Sequence, residues 1–197
     1  MFITYIEHIC GIFKIASYRI KHAVNTYVPQ NITIKNKTLM IEDIICAIDI
    51  HRQAMKMTKH FMITFEITMS CITGCLVVCF SFNLFQFFQI ASENNRTNVS
   101  ESLSSLVFAS VCIIYMFIAN YIGQNIIDHN NHIFITAYNV QWYKTPLHIQ
   151  RMILFLLQRR TKKFSLNLGG IFDASLEGFA MLIKASVSYF TVMHSTR

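Results

Sequence analysis

The chain has 197 residues, of which 53% are hydrophobic and only 14% are charged, and its mean hydropathy is +0.41. Soluble domains usually carry about 25% charged residues. The composition is therefore that of a membrane protein and excludes an ordinary soluble domain. The net charge of +7 is shared among several segments rather than gathered in one patch, which argues against a nucleic-acid partner.

The N-terminal part of the chain is predicted to form amphipathic helices. In residues 2–24 apolar side chains recur every three or four positions, while Glu7, Lys14 and Lys21 lie on another face. No earlier element is available for packing, so we expect that this helix lies on a membrane surface or that its partner is absent from the chain. A second amphipathic pattern follows, and no turn signal separates it from the next apolar run. This predicts one long helix that enters a membrane near Phe61.

Two runs without acidic or basic residues predict transmembrane helices. One run lies between Glu66 and Glu93, and the other lies between Glu101 and Asp128. Each exceeds the roughly 20 residues that a helix needs to cross the hydrocarbon core of a bilayer. Two spans joined by a short loop are therefore expected.

Lysine and arginine are distributed unevenly among the segments outside these spans. Residues 1–60 contain eight, residues 91–103 contain one and residues 124–165 contain six. The positive-inside rule assigns basic segments to the cytoplasm. Both long segments are therefore predicted to be cytoplasmic, the short loop external and the C-terminus extracellular.

N-glycosylation tripeptides agree with this topology in part. Asn95 and Asn98 each begin such a tripeptide in the external loop. Asn31 and Asn36 begin equally good tripeptides in a segment that the charge count assigns to the cytoplasm. The topology is therefore based on the basic residues.

The chain after the second span is predicted to form a cytoplasmic helix and then a third span. Thr145 and Pro146 are a good helix start, because a hydroxyl can cap the helix and proline suits its first position. Gly169 and Gly170 predict a break or hinge. Residues 171–193 follow as the last transmembrane helix.

The last predicted helix contains Asp173, Glu177 and Lys184. Ionisable side chains in a spanning helix are costly and usually face a bundle interior or a water-filled path. Asp173 and Glu177 lie near the cytoplasmic end, where water is available, whereas Lys184 is too deep to reach water easily. We therefore expect Lys184 to face an aqueous conduit or a neighbouring subunit.

The sequence thus predicts an all-α membrane protein with three transmembrane helices and long cytoplasmic helical extensions. Its segments are the cytoplasmic amphipathic helices (1–60), the first span (61–90), the external loop (91–103), the second span (104–123), the cytoplasmic helical region (124–168), the third span (169–194) and the extracellular C-terminus (195–197).

Cysteine and histidine patterns do not predict a metal site. Cys71, Cys75 and Cys79 share one helix face, where small residues in helix packing explain them better than a soft metal ion. His129 and His132 resemble a ligand pair, but no carboxylate pair or thiol pair accompanies them. No nucleophile with a paired base and no phosphate-binding glycine loop is present, so neither an enzyme nor a cofactor is expected.

Several strings of residues resemble the sequences of insect odorant receptors, in particular those of ants and related Hymenoptera. They are HICGIF (8–13), NLFQFFQ (83–89), YNVQWY (138–143), LGGIF (168–172) and KASVSYFTVM (184–193). The similarity extends over nearly the whole chain, and the string SYFTV is highly specific.

The resemblance implies an odorant-gated cation channel in the plasma membrane of olfactory sensory neurons. Family members have seven membrane helices, and this chain would correspond to the C-terminal half, with the fifth, sixth and seventh. They form heterotetramers with a shared co-receptor in the lipid bilayer, held together by cytoplasmic anchor helices, which would include residues 124–168 here.

The resemblance also assigns candidate sites. Tyr189 and Val192 match the hydrophobic gate of the pore, on the helix that carries Lys184. The ligand would be a volatile apolar odorant, and candidates for the wall of its pocket are Phe108, Cys112 and Tyr115. Ordinary helix packing is the simpler explanation for these three residues.

Two alternatives stay open. The chain could be a truncated, non-conducting protein that assembles with intact receptors and acts as a dominant-negative partner. It could also be a gustatory receptor of the same superfamily, although the last helix of those receptors usually ends in a different aromatic and aliphatic pattern.

Overall fold

The protein is almost entirely helical in the part of the chain that the computed structural model describes, residues 2–27, 34–92, 99–159, 167–168 and 172–195. The elements are α1 (Phe2–Tyr27), α2 (Ile34–Ser92), α3 (Val99–Asn139), a 3₁₀ turn (Trp142–Lys144), α4 (Leu147–Arg159), β1 (Asn167–Leu168), β2 (Phe172–Asp173) and α5 (Leu176–Ser195).

The described residues depart from the predicted all-α fold in one place. Strands β1 and β2 pair antiparallel, with Asn167 opposite Asp173 and Leu168 opposite Phe172. The prediction that the last helix begins at residue 171 is therefore wrong for its first turn, because Phe172 and Asp173 belong to a strand and α5 begins at Leu176. The predicted hinge residues, Gly169 and Gly170, lie outside the described residues.

The chain divides into two compact units. Unit 1 comprises Met1–Ile63 and Asn125–Ser165, and unit 2 comprises Thr64–Gln124 and Leu166–Arg197. Helices α2 and α3 are both continuous and contribute residues to each unit. The predicted absence of a turn between the amphipathic pattern and the first span is thus confirmed, since α2 is one helix of 59 residues.

Helix α1 buries the apolar face that its sequence predicts, but it does so inside unit 1. Phe13 and Ile9 are completely buried, while Glu7, Lys14 and Lys21 are exposed. The two explanations offered for this face, a membrane surface or an absent partner, are therefore wrong, because α1 packs on helices far along the chain. Sequence periodicity identifies a buried face but not the surface that covers it.

The interior of unit 1 contains hydrogen-bonded polar groups as well as apolar side chains. His51 of α2 lies between the rings of Phe13 and Phe134, with ring centroids 5.7 and 5.6 Å away. Its Nε2 lies 3.0 Å from Oδ1 of Asn130 of α3. Burial lowers the pKa of His51 below its usual value, against a smaller opposing effect of the bond to Asn130. Burial therefore favours the neutral form of the imidazole in the folded protein.

The start of α4 agrees with the prediction in position but not in the role of its hydroxyl. The helix begins at Leu147, immediately after Pro146. The Thr145 hydroxyl donates to the carbonyl of Trp142 at 2.6 Å rather than capping α4. The Gln150 side-chain amide donates to the Thr145 carbonyl at 2.7 Å and so fastens the turn to the helix.

Unit 2 is built around an apolar cluster that helices α2, α3 and α5 share. Its buried members are Val77, Phe80, Ala109, Cys112, Met116 and Leu182. Large apolar side chains also cover much of the outer surface of α3 in this unit, for example Val107, Val111 and Ile114. Soluble proteins rarely expose contiguous apolar surface of this kind.

Two of the described helices are long and apolar enough to cross a membrane. They run over Lys35–Ile90 and Leu103–Asn139, and their most apolar windows have mean hydropathies of 1.9 and 2.0. Helix α5 is not among them, although its 20 residues would extend about 30 Å.

Candidate functional site: helix α5 and its partners

The first turn of α5 is fixed by a serine cap. The Ser175 hydroxyl accepts a hydrogen bond from the backbone N–H of Gly178 at 3.1 Å, which satisfies one of the unpaired donors at a helix start. Glu177 lies in this first turn, where the partial positive charge of the helix end favours a carboxylate. The charge of Glu177 therefore costs little at this position.

Two glycines allow the segment before α5 to approach its neighbours closely. A Cβ atom at Gly123 of α3 would collide with the backbone carbonyl of Ala174, and a Cβ at Gly178 would collide with the carbonyl of Asp173. The Asn120 side chain lies beside Gly178, and its buried Oδ1 has no hydrogen-bond partner among the described residues. The base of α5 is thus a tight, backbone-to-backbone contact with α3.

One face of α5 packs on α2 through small and aromatic side chains. The buried Ser81 hydroxyl of α2 shares its proton between the carbonyl of Val77 at 2.8 Å and that of Ser186 at 3.2 Å. Nearer the end of α5, the ring of Phe190 lies 4.8 Å from the ring of Phe88. Small residues and hydroxyl–carbonyl bonds are the usual means of helix association in membranes.

The opposite face of α5 carries a polar stripe, which we define as Glu177, Lys184, Ser188, Thr191 and Ser195. All five side chains are exposed. At 3.6 residues per turn they fall within about 40° of one line along the helix. The buried Ser186 lies about 180° from that line. The polar stripe is therefore the face that lies farthest from the rest of unit 2.

The structure separates the three predicted pore residues. Lys184 belongs to the polar stripe, about 12 Å along the axis from Leu176. Val192 is exposed and lies about 60° from the centre of the stripe, whereas Tyr189 lies about 120° away and lines a cavity next to α2. Lys184 and Val192 are thus neighbours around the helix, and Tyr189 lies nearer the packing face.

The three predicted pocket residues lie in two different environments. Phe108 and Tyr115 are 59% and 62% exposed on the outer surface of α3, whereas Cys112 is only 8% exposed and belongs to the apolar cluster. The structure brings Cys112 together with Val77 and Leu182 and directs the other two away. Their assignment to an odorant pocket stays a prediction.

The remaining predicted sites cannot be placed. Asn95 and Asn98 lie outside the described residues, as do Gly169 and Gly170. Within the described ranges, no three His, Cys, Asp or Glu side chains converge to hold a metal ion.

Sequence reasoning missed the residues that attach α5 to its neighbours. Ser81, Ser186, Gly123 and Gly178 are small residues inside helices, and this is the available signal, because small residues mark close helix contacts. The sequence indicates Lys184 and Glu177 of the polar stripe, because charged residues stand out in an apolar helix, but it does not indicate the serines and threonine that complete the stripe.

Comparison with known proteins gives a consistent result. A sequence model described as 7tm odorant receptor matches residues 1–187. Among curated proteins of Drosophila melanogaster, putative odorant receptor 92a is 24% identical over 148 residues, which are 74% of this chain and 34% of that protein. Odorant receptor 94a is 20% identical over 191 residues, or 96% of this chain and 46% of the relative.

A further relative shows the same coverage. Odorant receptor 9a of Drosophila melanogaster is 23% identical over 200 residues, which span 98% of this chain and 45% of the relative. The chain thus spans less than half of the length of these curated relatives.

Proposed function

Because the chain belongs to the 7tm odorant receptor family, we propose that it is a subunit of an odorant-gated cation channel whose conduction path runs along the polar stripe of α5. Membership of this receptor family agrees with the prediction that the chain is not an enzyme. The observation that carries the proposal is the position of the stripe, directly opposite the face that packs on α2.

In this proposal, α2, α3 and α5 each cross the membrane once. Unit 1 is cytoplasmic, as the lysine and arginine distribution indicates, and the C-terminus is extracellular. The three helices correspond to the fifth, sixth and seventh of the family. The surroundings are the plasma membrane of olfactory sensory neurons, and the assembly is a heterotetramer with the shared co-receptor.

The conduction path has a charged part and an apolar part. Lys184 faces the water of the conduit, which removes the cost of holding an ammonium in lipid. Val192, about two turns from Lys184 and on the same side, narrows the conduit as an apolar gate that excludes water when closed. Binding of a volatile apolar odorant shifts the population towards the wetted, open state.

Currents from cells that co-express this chain with a co-receptor test the proposal. We expect odorant-evoked cation current and a larger current from Lys184→Met, because removal of a positive charge from the conduit lowers the barrier for cations. Lys59→Met is the matched control, since Lys59 is an exposed lysine of unit 1 and should leave conductance unchanged. Equal currents from Lys184→Met and the unmodified chain would contradict a conduit at this face.

The alternative function is that of a non-conducting assembly partner of intact receptors. Current recordings from the same kind of cells distinguish this alternative from a conducting subunit. Co-expression with an intact receptor and co-receptor would then reduce the odorant-evoked current, and this chain with the co-receptor alone would give none.

A further inference from the structure

Unit 2 contains a cavity whose lining includes only one of the predicted site residues, Tyr189. Its volume is about 430 Å³, within the range of roughly 300–1,000 Å³ that is usual for small-molecule sites. Helices α2 and α5 form its walls. The lining residues are Ser70, Thr73, Gly74, Val77, Val78, Ser81, Phe82, Leu182, Ala185 and Tyr189.

The cavity exists because α2 and α5 carry small residues at positions where larger side chains would fill the space between the two helices. Gly74 has no side chain, and a Cβ atom built there would meet no atom within 4 Å. Ala185 lies on the facing wall. The lining runs from Ser70 to Phe82 along α2, a rise of about 18 Å. The cavity is therefore long as well as open, and its shape suits a linear molecule.

The hydroxyl groups of the cavity divide into two kinds. Thr73 and Ser81 donate their protons to backbone carbonyls at 2.8 Å, so their hydrogen bonds are made within the helices. The hydroxyls of Ser70 and Tyr189 make no hydrogen bond in the part of the chain that the structure describes. They are the polar groups left for a ligand in an otherwise apolar lining.

We propose that this cavity binds a straight-chain aliphatic molecule that carries a single polar head, such as a medium-chain alcohol, with the head group hydrogen-bonded to the Tyr189 hydroxyl. Its lining contains none of the residues expected to form the odorant pocket, which are Phe108, Cys112 and Tyr115. The proposal does not depend on channel function, because its test measures binding.

Photolabelling of the purified full chain in detergent micelles tests the proposal, with an eight-carbon alcohol that carries a diazirine as the probe. Mass spectrometry locates the adducts. We expect labelled peptides from the middle of α2 and from α5, and we expect excess 1-octanol to suppress the labelling. Gly74→Leu should lower it at least about tenfold, because the leucine side chain occupies the open space.

Gly11→Leu is the matched control, since Gly11 of α1 also has no neighbour within 4 Å of an added Cβ and lies in unit 1. Its labelling should equal that of the unmodified chain. Ala185→Leu fills the cavity from the other wall, so a folding defect in one variant leaves the test intact. Helical circular dichroism and elution volume verify the fold of each variant.

Tyr189→Phe tests the polar contact. Loss of one hydrogen bond should raise the 1-octanol concentration needed for half-suppression about fivefold, while n-octane should compete equally with both proteins. Labelling that Gly74→Leu and Ala185→Leu leave unchanged would overturn the proposal. Suppression of labelling by added phospholipid but not by 1-octanol would also overturn it, because an acyl chain would then be the occupant. The absence of label would overturn it too, because protein would then fill the cavity.

Discussion

The two units of this chain keep their helices together in different ways, although α2 and α3 contribute to both. In unit 1 the charged side chains of α1, such as Glu7 and Lys14, are exposed, and the buried groups are apolar or, like His51 of α2, hydrogen-bonded. In unit 2 apolar side chains occupy the outer surface of α3, while Ser81 and Ser186 are inside. The hydrophobic effect explains packing in unit 1, but a helix surrounded by lipid gains nothing from it.

This difference predicts which kind of substitution destabilises each unit. Unit 1 depends on the burial of large side chains, so its stability should be sensitive to lost volume. Unit 2 depends on the approach of backbones at Gly123 and Gly178, so its stability should be sensitive to added volume. Each of the following experiments pairs a change with a control in the same unit.

The largest effect is expected in the core of unit 1. Phe13→Ala should lower the free energy of unfolding by about 3–5 kcal/mol, because Phe13 is completely buried and its truncation leaves a cavity. Tyr18→Ala on the same helix should cost less than about 0.5 kcal/mol, because Tyr18 is 67% exposed. Urea unfolding followed by fluorescence of the sole tryptophan, Trp142 of unit 1, measures both. Equal losses would contradict the buried position of α1.

The next effect is expected in unit 2 and concerns added volume. Gly123→Ala should cost about 1–3 kcal/mol, because the new methyl group collides with the Ala174 carbonyl. Gly74→Ala should instead stabilise the protein by up to about 1 kcal/mol, because alanine is the better helix former and nothing obstructs it. Thermal unfolding in detergent compares the two. A gain in stability from both substitutions would show that α3 and the start of α5 are not in close contact.

The sequence predicts the elements well because local patterns determine them. Apolar periodicity identifies α1, and the absence of turn residues identifies α2 as a single helix. Contacts between distant segments leave no such local signal. Ser17 of α1, for example, lies 3.1 Å from Nδ1 of His132 and donates to Thr136 at 2.8 Å, and no spacing in the sequence indicates this arrangement.

In the candidate site, too, the sequence indicates some residues, whereas their arrangement requires the structure. Lys184 and Val192 could be named from the sequence, since a lysine in an apolar helix and a family motif are both visible there. Their angular positions relative to Ser186 depend on which face of α5 packs on α2, which requires the structure. The sequence places the start of α5 too early, because the Ser175 cap lies inside an apolar stretch, where a hydropathy pattern shows no boundary.

A smaller effect on the stability of unit 1 is expected from a change of pH. The folded pKa of His51 is lowered by burial, so below the ordinary value of 6.5 the unfolded chain binds a proton that the folded chain does not. Stability is therefore complete above that value and falls as pH decreases below it, with a slope no steeper than about 1.4 kcal/mol per pH unit. Unfolding between pH 5 and 7.5 should show this dependence.

Two variants isolate the contribution of His51. His51→Phe should remove the dependence, whatever its effect on baseline stability. His22→Gln should keep it, because His22 is exposed on α1. A dependence that survives in His51→Phe would assign the titration to another group.

The reaction of introduced cysteines with a charged, water-soluble thiol reagent in membranes shows which face of α5 meets water. Ser188→Cys lies on the polar stripe, Ser186→Cys on the packing face, and Ser110→Cys on the apolar outer surface of α3. Mass spectrometry follows each labelled peptide. A conduit along α5 predicts modification at position 188 at least about tenfold faster than at positions 186 and 110, because only that face meets water. Equal rates at positions 188 and 110 would contradict it.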